Sequence, residues 1–167
     1  MRALGVVANS TARVWPFMEI VEAGSSRGHA IVSSDVKIKI KDNNLKNIEI
    51  QLAAGKYGSF SAPAPAPDSW AANPENHVNI WQIKLEENAI WEIPTTSEKV
   101  NRSLYFFEGE TIEAESNTIP INSVLELDAG REISIKNGNK PARLLLLQGK
   151  PINEPVEQYG PFVMNNM

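Results

Sequence analysis

The sequence contains no cysteine and only two histidines, His29 and His77, among its 167 residues. Without cysteine, disulfides, thiolate nucleophiles and Cys-ligated zinc or iron–sulfur clusters are excluded. Each histidine stands alone in a polar, loop-like segment without a partner at metal-ligand spacing. We therefore interpret both as loop residues rather than as metal ligands or general bases. His77 is the stronger functional candidate because it directly precedes a predicted strand.

Long apolar runs and blocks of one charge are also missing. The net charge is −4, with 42% hydrophobic and 22% charged residues, which excludes a disordered chain. The one basic run, Lys37, Lys39 and Lys41, alternates with apolar residues, so it predicts the solvent face of a strand rather than a nucleic-acid contact. The apolar start, residues 1–7, is too short for a signal peptide or a membrane span. We expect a cytoplasmic protein that contacts neither nucleic acid nor membrane.

Short segments with period-two alternation recur along the chain and predict an all-β sandwich or barrel. Trp81, Ile83 and Leu85, for example, share one face of a strand, with Gln82 and Lys84 on the other. The predicted strands are Val36–Ile40, Ile48–Leu52, Val78–Leu85, Ile90–Ile93, Leu104–Phe107, Thr111–Ala114, Val124–Leu127, Glu132–Lys136 and Arg143–Gln148.

The core is predicted from the last strands. The run Leu144–Leu147 is typical of a strand buried on both faces, and Asn137-Gly138-Asn139 before it predicts a hairpin turn. We expect Phe106 to be buried together with Leu145 or Leu147. If Leu145 is fully buried, its replacement by alanine costs ~2–5 kcal/mol.

Other chemistry-bearing residues favour structural interpretations. Four carboxylates, Glu108, Glu110, Glu113 and Glu115, cluster around one predicted hairpin, and we interpret them as surface residues rather than an acid–base pair. Segment 59–67 is rich in proline and predicts an extended loop. Trp81 and Trp91 are predicted to lie in the core or to line a barrel. Trp70 follows the proline-rich loop and either caps a barrel mouth or packs against a partner.

Near the C-terminus, the sequence resembles a known family. The run GKPINEPVEQYGPFVMN, residues 149–165, is similar to the closing signature of pirin-family proteins. Pro141–Leu147 is similar to the strand before that signature, and Leu104–Gly109 to the cupin strand that ends in Glu-Gly. The resemblance covers roughly Leu45–Asn165 and implies a cupin-type β-barrel, also called a double-stranded β-helix or jelly roll. It divides the chain into an arm or connector with one strand, residues 1–44, and a barrel with a Pro-rich tail, residues 45–167.

The resemblance also bears on chemistry. Pirins have two cupin domains, and this chain corresponds to the second. A cupin metal site uses a His-x-His pair, a Glu and a later His, whereas the matching stretches here, Pro94–Ser103 and Ile121–Leu127, contain no histidine. We expect no cofactor, because the family's iron would require the absent first domain. The chain is then a non-catalytic interaction or regulatory module. The alternatives are part of a metal-dependent, quercetin-type dioxygenase, or an apo-barrel that binds a small hydrophobic molecule.

The resemblance to two-domain proteins also predicts that this chain associates with another protein chain. Apolar residues of the connector and the tail would meet the first barrel in such a protein. We therefore expect a homodimer or a complex with another cupin domain. The residues predicted to lie at the barrel mouth or at an interface are Trp70, His77, Trp81, Tyr159 and Phe162.

Overall fold

The computed structural model describes residues 6–7, 36–155, 157–159 and 162–164, and these residues form an almost entirely β structure. Two short 3-10 helices, Trp70–Ala72 and Pro74–Asn76, precede the central strands. Neither of these short helices, the helices found among the described residues, could span a bilayer. The strands are β1 Val6–Val7, β2 Val36–Lys41, β3 Asn47–Ala54, β4 Lys56–Tyr57, β5 Phe60–Ser61, β6 Asn79–Leu85, β7 Ile90–Ile93, β8 Asn101–Glu108, β9 Thr111–Ala114, β10 Asn117–Pro120, β11 Ser123–Glu126, β12 Ile133–Asn137, β13 Ala142–Gly149, β14 Glu157–Tyr159 and β15 Phe162–Met164.

Two antiparallel sheets contribute to one core. The seven-stranded sheet has the order β1-β11-β8-β13-β6-β3-β2, and the four-stranded sheet has the order β10-β9-β12-β7. Inward-facing residues of both sheets join a single hydrophobic cluster, so the sheets pack face to face. No strand pairing joins the two sheets among the described residues, so the arrangement is a two-sheet jelly roll. The expected all-β fold is confirmed.

The alternation predicted for β6 is confirmed. Trp81, Ile83 and Leu85 are buried, whereas Gln82 and Lys84 are exposed. Period-two spacing alone therefore placed this strand in the correct phase.

The phase predicted for β13 is wrong. Phe106 is buried as expected, but Leu144 and Leu146 are the leucines that face the core, each with 0% exposure. Leu145 and Leu147 are half-buried on the opposite face of the sheet. The neighbours of β13, β6 and β8, fix this phase, because Leu146 pairs with Trp81 on one side and with Leu104 on the other.

The hairpin predicted at Asn137-Gly138-Asn139 is also wrong. Strand β12 lies in the four-stranded sheet and β13 in the seven-stranded sheet, so this turn carries the chain between the sheets. Asn137 is 2% exposed, and its Nδ2 donates to the backbone oxygens of Glu86 and Lys140, both at 2.8 Å. The Asn137 side chain thus ties this turn to the residue after β6 and to the segment just before β13.

Asp42, in the turn between β2 and β3, links the two sheets. Its Oδ1 accepts from the backbone N–H groups of Asn44 and Lys46, and its Oδ2 accepts from that of Ile90 in β7, all at 2.8 Å. Burial alone would raise the pKa of this carboxyl, but these three hydrogen bonds and the charge of Lys46 outweigh it and lower the pKa. The β2–β3 turn is therefore held to the opposite sheet by an ionised carboxylate.

This arrangement predicts a pH-dependent stability. A lowered folded-state pKa adds stability above the ordinary value, which is 3.8, and that contribution is lost as the pH falls through the folded-state pKa. We expect Asp42→Asn to destabilise the protein most at neutral pH and progressively less below pH 3.8. Urea unfolding at several pH values measures this. Asp68→Asn, at an exposed position, is the control, and a pH-independent difference between Asp42→Asn and wild type would contradict the prediction.

Candidate functional site

Most positions that face the interior carry apolar side chains, and Arg102 is the charged exception among the described residues. In β8 the inward residues are Arg102, Leu104 and Phe106, which are 1%, 0% and 1% exposed. Arg102 is the first of the three along the strand, so its side chain lies at one end of the jelly roll.

Gln148 is the hydrogen-bond partner of Arg102. The two residues are opposite each other in the β8–β13 ladder, and Arg102 Nε donates to Gln148 Oε1 at 2.8 Å. Gln148 Nε2 in turn donates to the backbone oxygen of His77 at 3.0 Å. A buried polar chain thus runs from the interior to the segment before β6.

The guanidinium is incompletely satisfied. Arg102 Nη1 is buried and has no hydrogen-bond partner, and no carboxylate of the described residues forms an ion pair with Arg102. Burial lowers the pKa of Arg102, and the charge of Asp128 opposes that shift. The Asp128 carboxylate is itself exposed and accepts a hydrogen bond from Gly130 N at 2.9 Å. The group is a desolvated cation without a contacting counter-charge.

Two loops cover this end of the interior. The backbone N–H of Leu127 donates to the oxygen of Arg102 at 2.8 Å, and that of Thr96 donates to the oxygen of Ala129 at 2.8 Å. Val100 and Leu127 are each 6% exposed and Ala129 is 2% exposed. The surroundings contributed by these loops are therefore apolar.

A shallow groove lies on the outer face of the seven-stranded sheet, close to the same end. Its volume is about 490 Å³, and its apolar lining includes Trp70, Val78, Ile80 and Leu147. Trp70 is 39% exposed and lies over Gly149, where an added Cβ would be 3.8 Å from the ring. The groove presents apolar surface that the described part of the chain leaves accessible.

Trp70 and His77, both predicted as site residues, are brought together by the two 3-10 helices. Asn76, 7% exposed, donates from Nδ2 to the backbone oxygen of Trp70 at 2.6 Å. His77 ends the second helix with φ 50° and is exposed, so its imidazole is on the surface and its carbonyl faces Gln148. His77 therefore takes part in the buried hydrogen-bond chain through its backbone oxygen and not through its imidazole.

The other predicted site residues lie elsewhere. Trp81 is 2% exposed inside the core, where Tyr57 packs edge-on against it with ring centroids 5.2 Å apart. Tyr159 and Phe162 are opposite each other in the β14–β15 ladder. His29 lies outside the described residues, as does nearly all of the predicted arm before residue 36.

The predicted acidic cluster forms surface ion pairs. Glu113 lies 3.7 Å from Lys136, Glu110 lies 3.7 Å from Lys140, and Glu115 pairs with Arg131. All three residues are exposed, which agrees with their interpretation as surface residues.

The residues present do not fit a bound iron. Within the described ranges, no three His, Cys, Asp or Glu side chains come close enough to hold a metal ion. The inward position at the start of β8 is occupied by Arg102, a positively charged group that has only donors to offer. A buried guanidinium opposes a second cation in the same space.

Arg102, Gln148 and Asn76 were missed from the sequence. One signal was available, because Leu104 and Phe106 set the phase of β8 and place Arg102 on the same face. Gln148 gave no such signal, since its partner lies 46 residues away and the strand order cannot be read from the sequence.

The two-sheet jelly roll, with its core between a seven-stranded and a four-stranded sheet, is a cupin fold. A quercetin 2,3-dioxygenase from Acinetobacter baumannii has a similar structure, with a TM-score of 0.62 and 24% identity over 79% of this chain and 42% of that chain. The sequence profile of the pirin C-terminal cupin domain matches residues 80–167. The chain therefore belongs to the pirin family, in which it matches the C-terminal cupin domain.

Two curated relatives agree with this assignment. A pirin-like protein from Solanum lycopersicum is 48% identical over 68 residues, which is 39% of this chain and 23% of the relative. A Vibrio cholerae protein with the provisional name quercetin 2,3-dioxygenase is 29% identical over 120 residues, 72% of this chain and 36% of the relative. The chain thus spans only about a quarter to a third of the length of these relatives.

Proposed function

We propose that this cupin domain is a non-catalytic interaction module that associates with a second copy of itself through the groove at Trp70. The observation that carries the proposal is the accessible apolar surface formed by Trp70, Ile80 and Leu147 on the outer face of the large sheet. Tyr105, which is 37% exposed on the same face, adds to it. Tryptophan and tyrosine are enriched among the residues that dominate binding energy at protein interfaces.

The interior supports the non-catalytic part of the proposal. The inward residues of β8 and β13 beyond Arg102 and Gln148 all have 1% exposure or less, and they are Leu104, Phe106, Ala142, Leu144 and Leu146. Alanine, leucine and phenylalanine side chains have no group that transfers protons or binds a metal. The domain is thus suited to present a surface rather than to perform a reaction.

Self-association predicts a dimer mass by light scattering at micromolar concentration. Trp70→Ala should weaken the dimer about 30-fold or more, the effect of removing an aromatic residue that dominates an interface. Leu45→Ala, at a 74% exposed position in the distant β2–β3 turn, is the control and should leave the dimer intact. A wild-type protein that stays monomeric as its concentration rises would contradict the proposal.

The names of two similar proteins favour a second candidate function. Both the Acinetobacter and the Vibrio protein carry the name quercetin 2,3-dioxygenase, so this domain would be part of such an enzyme, with the iron held outside this chain. The two candidates differ in what the chain does when a separate, iron-loaded cupin domain is added. Quercetin turnover by the mixture that exceeds the turnover of either protein alone would replace the interaction proposal with this one.

A further inference from the structure

Three buried side-chain atoms in the described part of the chain have no hydrogen-bond partner: Arg102 Nη1, Trp81 Nε1 and Trp91 Nε1. All three are N–H donors, and no buried side-chain acceptor is left unpartnered among the described residues. Buried polar groups are normally satisfied, and an unsatisfied charged group costs more than a neutral one, so Arg102 Nη1 is the donor with the strongest need for an acceptor.

The residues that carry these donors belong to strand segments near the same end of the interior. Arg102 is the first inward residue of β8, and Gln148 opposite it is the last of β13. Trp81 is opposite Leu146, one inward position deeper than Gln148. In the other sheet, Ile93 ends β7 at the loop that leads to β8, and Trp91 is again one inward position deeper.

We infer that Arg102 is the anchor of a binding site for a small carboxylate with an apolar body, at the end of the jelly roll covered by the 96–100 and 127–129 loops. A carboxylate would supply the counter-charge that Arg102 lacks and would accept from its free Nη1. Gln148 fixes the guanidinium through Nε and leaves Nη1 available. This binding is independent of the proposed association through Trp70.

The ligand is expected to have an apolar body because the residues around Arg102 are apolar. Val100, Leu127 and Ala129 are buried in the covering loops, and Leu104 is the next inward residue of β8. A strongly hydrated inorganic anion would lose its water in such surroundings without replacing most of its hydrogen bonds. An aromatic monocarboxylate keeps one charged end for Arg102 and places an apolar ring against these side chains.

Access requires the covering loops to separate. Arg102 is 1% exposed, and the hydrogen bond from Thr96 N to Ala129 O, 2.8 Å long, joins the two loops. The exposed residues Glu98 and Lys99 form the outer side of this cover. Ligand entry is therefore a local opening of the loops rather than an unfolding of the strands.

Benzoate is the probe, with benzamide as its neutral analogue and sodium chloride as the control for ionic strength. Ligand that binds only the folded chain raises the melting temperature, and tenfold excess over Kd gives roughly 3–6 °C for a protein of this size. We expect this rise with benzoate and not with either control. An equal response to benzoate and sodium chloride would overturn the inference.

Arg102→Met removes the charge and keeps an unbranched apolar side chain, so the response to benzoate should be lost. Arg143→Met, at an exposed arginine of β13 that pairs with Glu108, is the matched control and should respond as wild type does. An Arg102→Met protein that still responds would overturn the inference. If that variant does not fold, NMR of wild type decides the question: the Arg102 Nε–Hε resonance must shift with benzoate and not with benzamide, and an unchanged resonance overturns it.

Discussion

Leu146→Ala is expected to lower the free energy of unfolding by about 2–5 kcal/mol, because it deletes a fully buried leucine and leaves a cavity. Leu146 is 0% exposed between Trp81 and Leu104. Neighbours on both flanking strands limit how far the site can collapse. For a protein of this size, the loss corresponds to a fall in melting temperature of roughly 4–20 °C.

The adjacent Leu145→Ala is the matched control for this prediction. Leu145 has the same chemistry and the same strand, but it is half-buried on the outer face. Its replacement should cost roughly 1 kcal/mol, from lost apolar area without an enclosed cavity. Urea unfolding of both variants measures the difference. A larger loss at Leu145 would show that the phase of β13 is inverted, and equal losses would contradict the difference in burial between the two leucines.

Gly55→Ala is expected to destabilise the protein by roughly 2–5 kcal/mol, the sum of backbone strain and overpacking. Gly55 has φ +83°, a conformation that side-chain-bearing residues rarely adopt. An added Cβ would also overlap Asn79 Oδ1 and the backbone oxygen of Val78. Because Asn79 Oδ1 also accepts from Lys56 N at 2.9 Å, relieving the overlap disrupts the start of β4.

A second glycine three residues away separates the two causes. Gly58 has φ +58°, and an added Cβ there would meet nothing within 4 Å. Gly58→Ala should therefore show the strain alone, about 1–2 kcal/mol. Unfolding curves measure the loss of stability in each variant, and the difference between the two losses is the cost of the steric overlap at Gly55. If Gly58→Ala costs as much as Gly55→Ala, the close approach of Asn79 and Val78 is not what the glycine accommodates.

The β strands were predictable from the sequence where polar and apolar residues alternate. In β6, Gln82 and Lys84 mark the outer face, and the prediction was correct. In β13 four consecutive leucines do not indicate which face of the strand is buried. The polar residues near its ends, Arg143 and Gln148, lie on opposite faces and do not indicate it either. The burial of Gln148 could not be predicted from the sequence, because Gln148 is hydrogen-bonded to Arg102 in a different strand.

The candidate sites were predictable only in part. Trp70 was expected to cap a barrel mouth or to pack against a partner, because a large apolar residue stood in a polar loop; it is 39% exposed, and its role stays a prediction. Arg102 was not expected, because an arginine near a strand end is ordinarily a surface residue. Its burial results from strand order and from the loops that cover it, and both depend on contacts between distant parts of the chain. The crossing at Asn137 was mistaken for a hairpin for the same reason.

Strand β2 has a consequence for how copies of this domain can meet. It is the last strand of the large sheet in the described chain, so its outer edge offers unpaired backbone groups to a strand from another molecule. Lys37, Lys39 and Lys41 recur at every second position along it and are exposed. Two such edges brought together would oppose their positive charges along the whole ladder. These lysines therefore disfavour the pairing of two copies of the protein through the β2 edge.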